Sequence, residues 1–294
     1  MSEAAFIGID WGTTNLRGWQ IDAVGQALDA RASAEGMGGL MPDGFAPALA
    51  RLVEGWPGLP VLACGMVGAR QGWVEAAYVT APATAGSLAR SLMAVPGRDD
   101  VRIVPGVAMR SGDGRLIDVM RGEETQAIGI DADRPALLIC PGTHGKWIEV
   151  DHGEIGRFQT FMTGEMNAVL ARQSVLRHSV GGDAEIGPVF IDAVQEMLAG
   201  TALAAALFSV RVGTLDGRLS PVDAASRLSG LLIGAEVAAG MAKFGRRPIT
   251  LIGAPGLTAF YATALAQADC TEVQVHDGAQ AVCLGLARIW RSRP

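Results

Sequence analysis

Basic clusters are absent from this chain, whose 24 Lys and Arg stand against 30 Asp and Glu for a net charge of −6. No stripe exists that could track a phosphate backbone, so nucleic acid is not expected as a partner. Cysteine is sparse. Cys64, Cys140, Cys270 and Cys283 lie far apart with no Cys-x-x-Cys pair, and His144, His152, His178 and His276 show no metal-ligand spacing. Reduced thiols in a cytosolic protein without structural zinc are the expectation. The opening MSEAAFIGIDW lacks the positive segment and apolar run of a secretory signal. A long continuous apolar run is missing too. The uncharged stretch 248–268 is interrupted by Gly253, Pro255 and Gly256 where a spanning helix has to be unbroken. A buried strand, a turn and a helix are expected there instead.

Apolar residues and glycine are plentiful. Hydrophobic residues make up 49% of 294, ample for a large core, and this excludes a disordered or small stapled chain. The 39 glycines are about twice the usual share of roughly 7% and announce many tight turns. Strands are expected at 6–10, 16–22 and 27–34, a helix at 45–54, strands at 61–64 and 101–104, a hairpin turn at Gly112-Asp113-Gly114, and a helix at 123–130. The pattern then restarts, with strands at 136–140, 146–150 and 154–160 around the turn Pro141-Gly142-Thr143-His144-Gly145. Helices follow from 164 to 242, with Ala/Leu-rich runs at 201–210 and 221–242 and a Ser220-Pro221 start signal. Strand 249–252, helix 257–268, strand 272–275 and helix 279–290 close the chain. A strand, Gly/Thr turn, strand, strand unit thus occurs twice, which points to two α/β domains.

The strongest chemical signal is Gly8-Ile9-Asp10-Trp11-Gly12-Thr13-Thr14-Asn15, an acid at the end of a buried strand followed at once by a Gly/Thr turn. Such a turn offers N–H groups and two hydroxyls to an anion, and Gly12 lets a phosphate approach the backbone. Asp10 repels a bare phosphate. A carboxylate in this place makes sense with a divalent cation between, and Mg²⁺ held through water by one carboxylate meets that need. An ordinary hairpin turn explains any one of these features but not their recurrence at Gly142-Thr143-His144-Gly145-Lys146, where a hydroxyl and a cation are added. The second turn is not a P-loop, because Cys140 stands in place of a glycine and Trp147 in place of the Ser/Thr. Neither Gly-x-Gly-x-x-Gly nor Gly-x-Ser-x-Gly occurs.

These residues resemble the sugar kinases of the actin and hexokinase superfamily, and more closely the 2-dehydro-3-deoxygalactonokinase family. The resemblance rests on Gly-Ile-Asp-Trp-Gly-Thr-Thr at 8–14 and Cys-Gly-Met-Val-Gly-Ala-Arg-Gln-Gly-Trp at 64–73. It continues with Met-Arg-Gly-Glu-Glu-Thr-Gln at 120–126, Pro-Gly-Thr-His-Gly-Lys-Trp at 141–147 and Phe-Met-Thr-Gly-Glu at 161–165. It implies ATP-dependent phosphorylation of 2-dehydro-3-deoxy-D-galactonate at its 6-hydroxyl, in cytosolic galactose or galactonate catabolism. The fold it implies is α/β, with two ribonuclease-H-like domains facing across an ATP cleft. The expected division is residues 1–121 and 122–294, with the last helix packing back on the first domain. Homo-oligomers are compatible with this, and helix 221–242 suits either core or subunit interface.

The same resemblance distributes roles. Gly12, Thr13 and Thr14 would hold phosphate from one side, and Gly142, Thr143, His144, Gly145 and Lys146 from the other, with Asp10 anchoring Mg²⁺ through water. An acceptor hydroxyl needs a carboxylate in hydrogen-bond reach to take its proton. Glu123, following the glycine, is the first choice and Glu124 the alternative, although related kinases place Asp here. The helix dipole alone favours two acids in a first turn by roughly 0.3 to 1 kcal/mol each. Gly65, Met66, Arg70, Gln71, Trp73 and, more weakly, Arg17 are candidates for the sugar acid, because Arg offers a carboxylate a two-pronged contact. Packing is the plain alternative for Trp73 and a solvated charge for Arg70. Gly253, Ala254, Pro255 and Gly256 would let adenosine lie against the backbone, and Thr163-Gly164-Glu165 reads as a helix cap. Two other readings stay open: a kinase of this fold with another acid or polyol, and a nucleotide-switched actin-like or regulatory protein.

Overall fold

The computed structural model describes residues 3–130 and 135–294. By contact the chain divides into two compact units, Met1–Pro135 with Ile148–Phe158 and Asp277–Pro294, and Ala136–Trp147 with Gln159–His276.

The first unit opens on a meander of β1 (Ala4–Trp11), β2 (Leu16–Asp22) and β3 (Ala27–Ser33). Helix α1 (Phe45–Leu52) and strand β4 (Val61–Gly65) follow. Helix α1 buries Phe45, Ala48, Leu49 and Leu52, one face at helical spacing, and stops two residues short of the expected end. After β5 (Val79–Thr80) and α2 (Ala85–Arg90) come β6 (Met93–Val95) and β7 (Arg98–Ile103). Strands β8 (Val107–Arg110) and β9 (Leu116–Met120) pair antiparallel around the expected Gly112–Gly114 turn, and α3 (Glu123–Gly129) follows. The six-stranded sheet has the order β3-β2-β1-β4-β7-β6, with β4 parallel to both β1 and β7. Central β1 is apolar on both faces, with Phe6, Ile7, Ile9 and Trp11 buried, as a strand covered on two sides requires.

The second pattern begins with β10 (Ala136–Cys140), β11 (Gly145–Asp151) and β12 (Glu154–Phe161). Helices α4 (Thr163–Gln173), α5 (Pro188–Leu198), α6 (Leu203–Ala206), α7 (Phe208–Leu215) and α8 (Pro221–Phe244) come next. The Ala/Leu-rich run at 201–210 is divided between α6 and α7 at Leu207. Its alanines favour helix, but Ala202, in extended conformation, and a cap without a side-chain bond leave α6 a single turn. The Ser220-Pro221 signal does start a helix. The Ser220 hydroxyl accepts from Asp223 N–H at 3.1 Å, and the Asp223 carboxylate accepts from Ser220 N–H at 3.1 Å. Strand β13 (Ile249–Gly253), α9 (Pro255–Gln267), β14 (Val273–Asp277) and α10 (Gly278–Arg291) complete the chain.

This sheet has the order β12-β11-β10-β13-β14, with β10 parallel to β13. In each sheet the first strand of a meander lies inside, with its hairpin partners on one side and a parallel strand on the other. Both carry the strand order of a ribonuclease-H-like domain, so the α/β class expected from the sequence is the one observed. Helix α10 returns to the first unit, where Phe6 and Trp290 stack at 4.7 Å. The uncharged 248–268 stretch is a strand and a helix, and among the described residues no helix is long and apolar enough to cross a membrane.

Candidate active site

In the first unit, β1 and β4 pair with Asp10 opposite Cys64 and Trp11 opposite Gly65. Asp10 and Gly65 therefore stand at the carboxyl ends of adjacent parallel strands, where open α/β sheets receive ligands. Gly65 has φ +90°, and a Cβ there would lie 2.8 Å from the Trp11 carbonyl oxygen, so only glycine fits. Gly122, with φ +105°, opens α3, and a Cβ on it would lie 3.5 Å from the Gly65 Cα, so its turn lies against the turn after β4. Three segments thus meet: the end of β1, the turn after β4, and the start of α3.

Their charges are placed unequally. Asp10 accepts from Arg17 Nη2 at 2.5 Å; burial raises its carboxyl above the usual range, while Arg17 pulls it down. Glu124 is 0% exposed and accepts from Gly122 N–H at 2.6 Å and from the Thr125 hydroxyl at 2.9 Å. Burial, helped by the neighbouring Glu123 charge, pushes it up to about 7. Glu123 is half-buried and accepts from Arg121 N–H at 3.2 Å. The buried Cys64 thiol is raised by burial and then by Asp10 and Glu124, which places both acids in its neighbourhood.

The Gly12–Asn15 turn is gripped from behind. The carbonyls of Gly12, Thr13 and Thr14 accept from Met37, Gly38 and Gly36 N–H at 2.9, 2.9 and 3.1 Å. A trans peptide points its N–H opposite its carbonyl, so the N–H groups of Thr13, Thr14 and Asn15 face away from that support, and these residues are exposed. The sequence reading missed residues 36–38 altogether.

The acceptor candidates separate. Gly65 and Met66 lie at the junction. Arg70 and Gln71 are exposed, and Arg70 faces Glu75 at 3.6 Å. Trp73 packs against Phe45 and Trp11 at 6.1 and 6.0 Å, the plain alternative set out for it above. Arg121, given no role above, donates from Nη2 to the Ala76 carbonyl at 2.6 Å and lies 4.5 Å over the Tyr78 ring. Its Nε and Nη1 are buried without a partner.

In the second unit the turn after β10 is held by one backbone bond and by side chains. Thr143 carbonyl accepts from Glu165 N–H at 3.0 Å, and the His144 ring meets the Glu165 carboxylate at 2.5 Å. Thr143 and His144 are exposed, whereas Gly145 and Lys146 are buried. Lys146, 4% exposed, donates to the His144 carbonyl at 3.0 Å, so its ammonium braces the turn. Thr163 does not cap α4. Met162 occupies that position, and the Thr163 side chain bonds Glu236 instead, because the hydroxyl is buried beside that acid. Gly142 and Thr143 line a cavity of about 720 Å³ together with Thr163, Asn167, Arg172, Asp183, Gly256 and Tyr261. The second Gly/Thr turn and Gly256 of the late turn therefore share one cavity, and a Cβ on Gly253 would come to 3.9 Å from Pro141. Asn167, Arg172 and Asp183 carry no local motif by which the sequence could have found them.

The model of the family 2-keto-3-deoxy-galactonokinase matches residues 10–289. A Rhizobium meliloti (strain 1021) protein named as a 2-dehydro-3-deoxygalactonokinase is 40% identical over 299 residues, 98% of this chain and 97% of that protein. The Escherichia coli (strain K12) 2-dehydro-3-deoxygalactonokinase is 36% identical over 272 residues, 91% of each chain. The crystal structure of a protein from Sinorhizobium meliloti titled as a 2-dehydro-3-deoxygalactonokinase superposes with a TM-score of 0.87 at 38% identity, over 97% of this chain and 98% of that one. The activator of the 2-hydroxyisocaproyl-CoA dehydratase from Clostridium difficile, at 14% identity and a TM-score of 0.52 over 98% and 94% of the two chains, shares the fold alone.

Proposed function

The chain belongs to the 2-keto-3-deoxy-galactonokinase family, and from that premise we propose that it transfers the terminal phosphoryl group of ATP to the 6-hydroxyl of 2-dehydro-3-deoxy-D-galactonate. The observation that carries the chemistry is the meeting of Asp10, Gly65 and the Glu123–Glu124 turn at the ends of β1 and β4. The reading makes it a cytosolic enzyme of galactose or galactonate catabolism with small-molecule partners. The acceptor, the first phosphate turn and the glutamate pair are assigned to the first unit, and the second turn and the nucleoside to the second.

Glu123 takes the proton of the 6-hydroxyl as its oxygen bonds the γ-phosphorus and the bond to the ADP oxygen breaks. Its partial exposure supports it over Glu124, whose carboxylate is enclosed and occupied by Gly122 N–H and the Thr125 hydroxyl. Glu124 then fixes the turn that carries the base. The outward N–H groups and hydroxyls of Thr13 and Thr14 receive phosphate oxygens, and the cavity beside Gly142 and Thr143 holds the nucleotide.

Among the described residues no group of three or more His, Cys, Asp and Glu could enclose a metal. The single carboxylate of Asp10 at the end of β1, beside the Gly12–Asn15 turn, fits Mg²⁺, which keeps most of its waters and needs one or two carboxylates plus phosphate. Bound there, Mg²⁺ supplies neutralisation of the phosphate charge. Asp10 would hold it through water, sharing its carboxylate with Arg17.

Coupled detection of ADP tests the reading, with 2-dehydro-3-deoxy-D-galactonate set against its gluconate epimer and a panel of sugar acids and polyols. A strong preference for 2-keto-3-deoxy acids is expected. Equal turnover of a polyol, or no ADP release with any keto-deoxy acid, would overturn it.

A further inference from the structure

Helix α8 buries one carboxylate deep in the second unit, and the reaction outlined above makes no use of it. Glu236 is 3% exposed. Its Oε1 accepts from the Trp147 indole N–H at 2.8 Å and its Oε2 from the Tyr261 hydroxyl at 2.7 Å, and the Thr163 side chain bonds it as well. Burial raises its carboxyl above the usual range. Gly145 completes the fit, since a Cβ there would come within 3.2 Å of Oε1. One side chain on α8 therefore ties together the strand after the Gly142–Lys146 turn, the start of α4, and α9.

Hydrophobic packing does not call for an acid in this place, because burying a carboxylate is costly and an apolar residue of similar volume fills such a space more cheaply. What the acid supplies is direction. Thr163 and Tyr261 line the 720 Å³ cavity with Gly142 and Thr143, whereas Glu236 and Trp147 stand behind that wall. We propose that Glu236 is a positioning residue for the nucleotide, fixing through Trp147, Thr163 and Tyr261 the wall and turn against which the phosphates and nucleoside of ATP are held. The proposal rests on the kinase reading and deepens it. It assigns to this carboxylate a share of nucleotide affinity and none of the acceptor site, which lies on first-unit residues.

The test uses the full chain, with ADP affinity by calorimetry and steady-state KM for the sugar acid. Glu236→Leu strands the indole N–H and both hydroxyls, and should weaken ADP binding about tenfold while the sugar-acid KM stays within about twofold. Glu236→Gln keeps an acceptor for Trp147 and an amide for Tyr261, whose oxygen can accept, so it should restore most of the ADP affinity. Unchanged ADP binding in Glu236→Leu, or equal losses for ADP and sugar acid, would overturn the proposal. If Glu236→Leu does not fold, Trp147→Phe removes one donor from behind the wall. It should weaken ADP binding about threefold, and less than additively in combination with Glu236→Gln, whereas strict additivity would count against a shared route. Wild-type protein that binds no ADP would sink the kinase reading itself, a result separable from all of these.

Discussion

The two Gly/Thr turns begin from the same strand order and differ in what stands behind them. The turn at Gly12–Asn15 is braced by backbone, through N–H groups of residues 36–38. The turn at Gly142–Lys146 has one such backbone bond, from Glu165 N–H to the Thr143 carbonyl, and is braced mainly by side chains: Lys146 on the His144 carbonyl, the His144–Glu165 pair, and Glu236 beneath Gly145. A turn held by backbone leaves nearby side chains available for chemistry, and Asp10, Arg17 and Glu123 surround that end of the first unit. A turn held by side chains has spent them on shape, which suits a surface that only has to bind. Under the proposed function, the contrast matches bond-making and a phosphate contact by the first unit's residues and nucleoside holding by the second's.

The largest effect that can break this division is at the base. Glu123→Gln should lower kcat by about 10³-fold, within the usual range for loss of a general base, with ADP affinity unchanged. Glu124→Gln should cost far less turnover, because its carboxylate already accepts from Gly122 N–H and Thr125. Normal turnover in Glu123→Gln beside a dead Glu124→Gln would move the base by one residue. A matching loss of ADP affinity would blur the two units' roles.

Glu124 also carries a stability signature. Burial holds its carboxyl up at about 7 against an ordinary value of 4.5. The folded state then binds the proton more tightly than the unfolded one. The resulting stability is whole below about pH 4.5 and is lost as pH rises to about 7, a swing of about 3 kcal/mol. Denaturant unfolding of Glu124→Gln and wild type across that window should show the variant gaining on wild type as pH rises. A constant gap would mean that the buried acid is not the proton carrier.

Much of this was legible in the sequence because it is local. The Asp10 turn, the repeated meander, the Gly112–Gly114 hairpin and the Ser220-Pro221 start all announce themselves within a few residues. What was not legible is long-range. Trp147 and Glu236 are 89 positions apart, and residues 36–38 reach the Gly12 turn only once β3 has folded back. The same limit explains Thr163, which has the residue type and spacing of a cap. Its hydroxyl is drawn instead to an acid on α8 that no local pattern connects to it.

A smaller effect sharpens the metal assignment within the first unit. Asp10→Asn removes the charge that would hold the ion through water and reduces the 2.5 Å ion pair with Arg17 to at most a neutral hydrogen bond. The Mg²⁺ concentration for half-maximal rate should rise about tenfold, equivalent to about 1.4 kcal/mol, with the sugar-acid KM changed less. A wild-type metal titration would remove Asp10 from the anchor role and leave Arg17 as its structural partner.

The smallest expected effect separates substrate contact from surface charge at Arg70. Its side chain is 81% exposed and its contact with Glu75 is 3.6 Å, a pair of the kind that contributes about 0 to 1 kcal/mol. Arg70→Gln should therefore leave the unfolding midpoint nearly unchanged, whatever else the residue does. If the guanidinium reads the substrate's carboxylate, the KM for the keto-deoxy acid should rise several-fold while ADP affinity and kcat hold. An unaltered KM would return the task of binding the acid group to Arg17 and to Arg121, whose buried Nε and Nη1 have no partner. Either result keeps the acid-reading cation in the first unit, and only a loss of ADP affinity in this variant would carry Arg70 across to the nucleotide side.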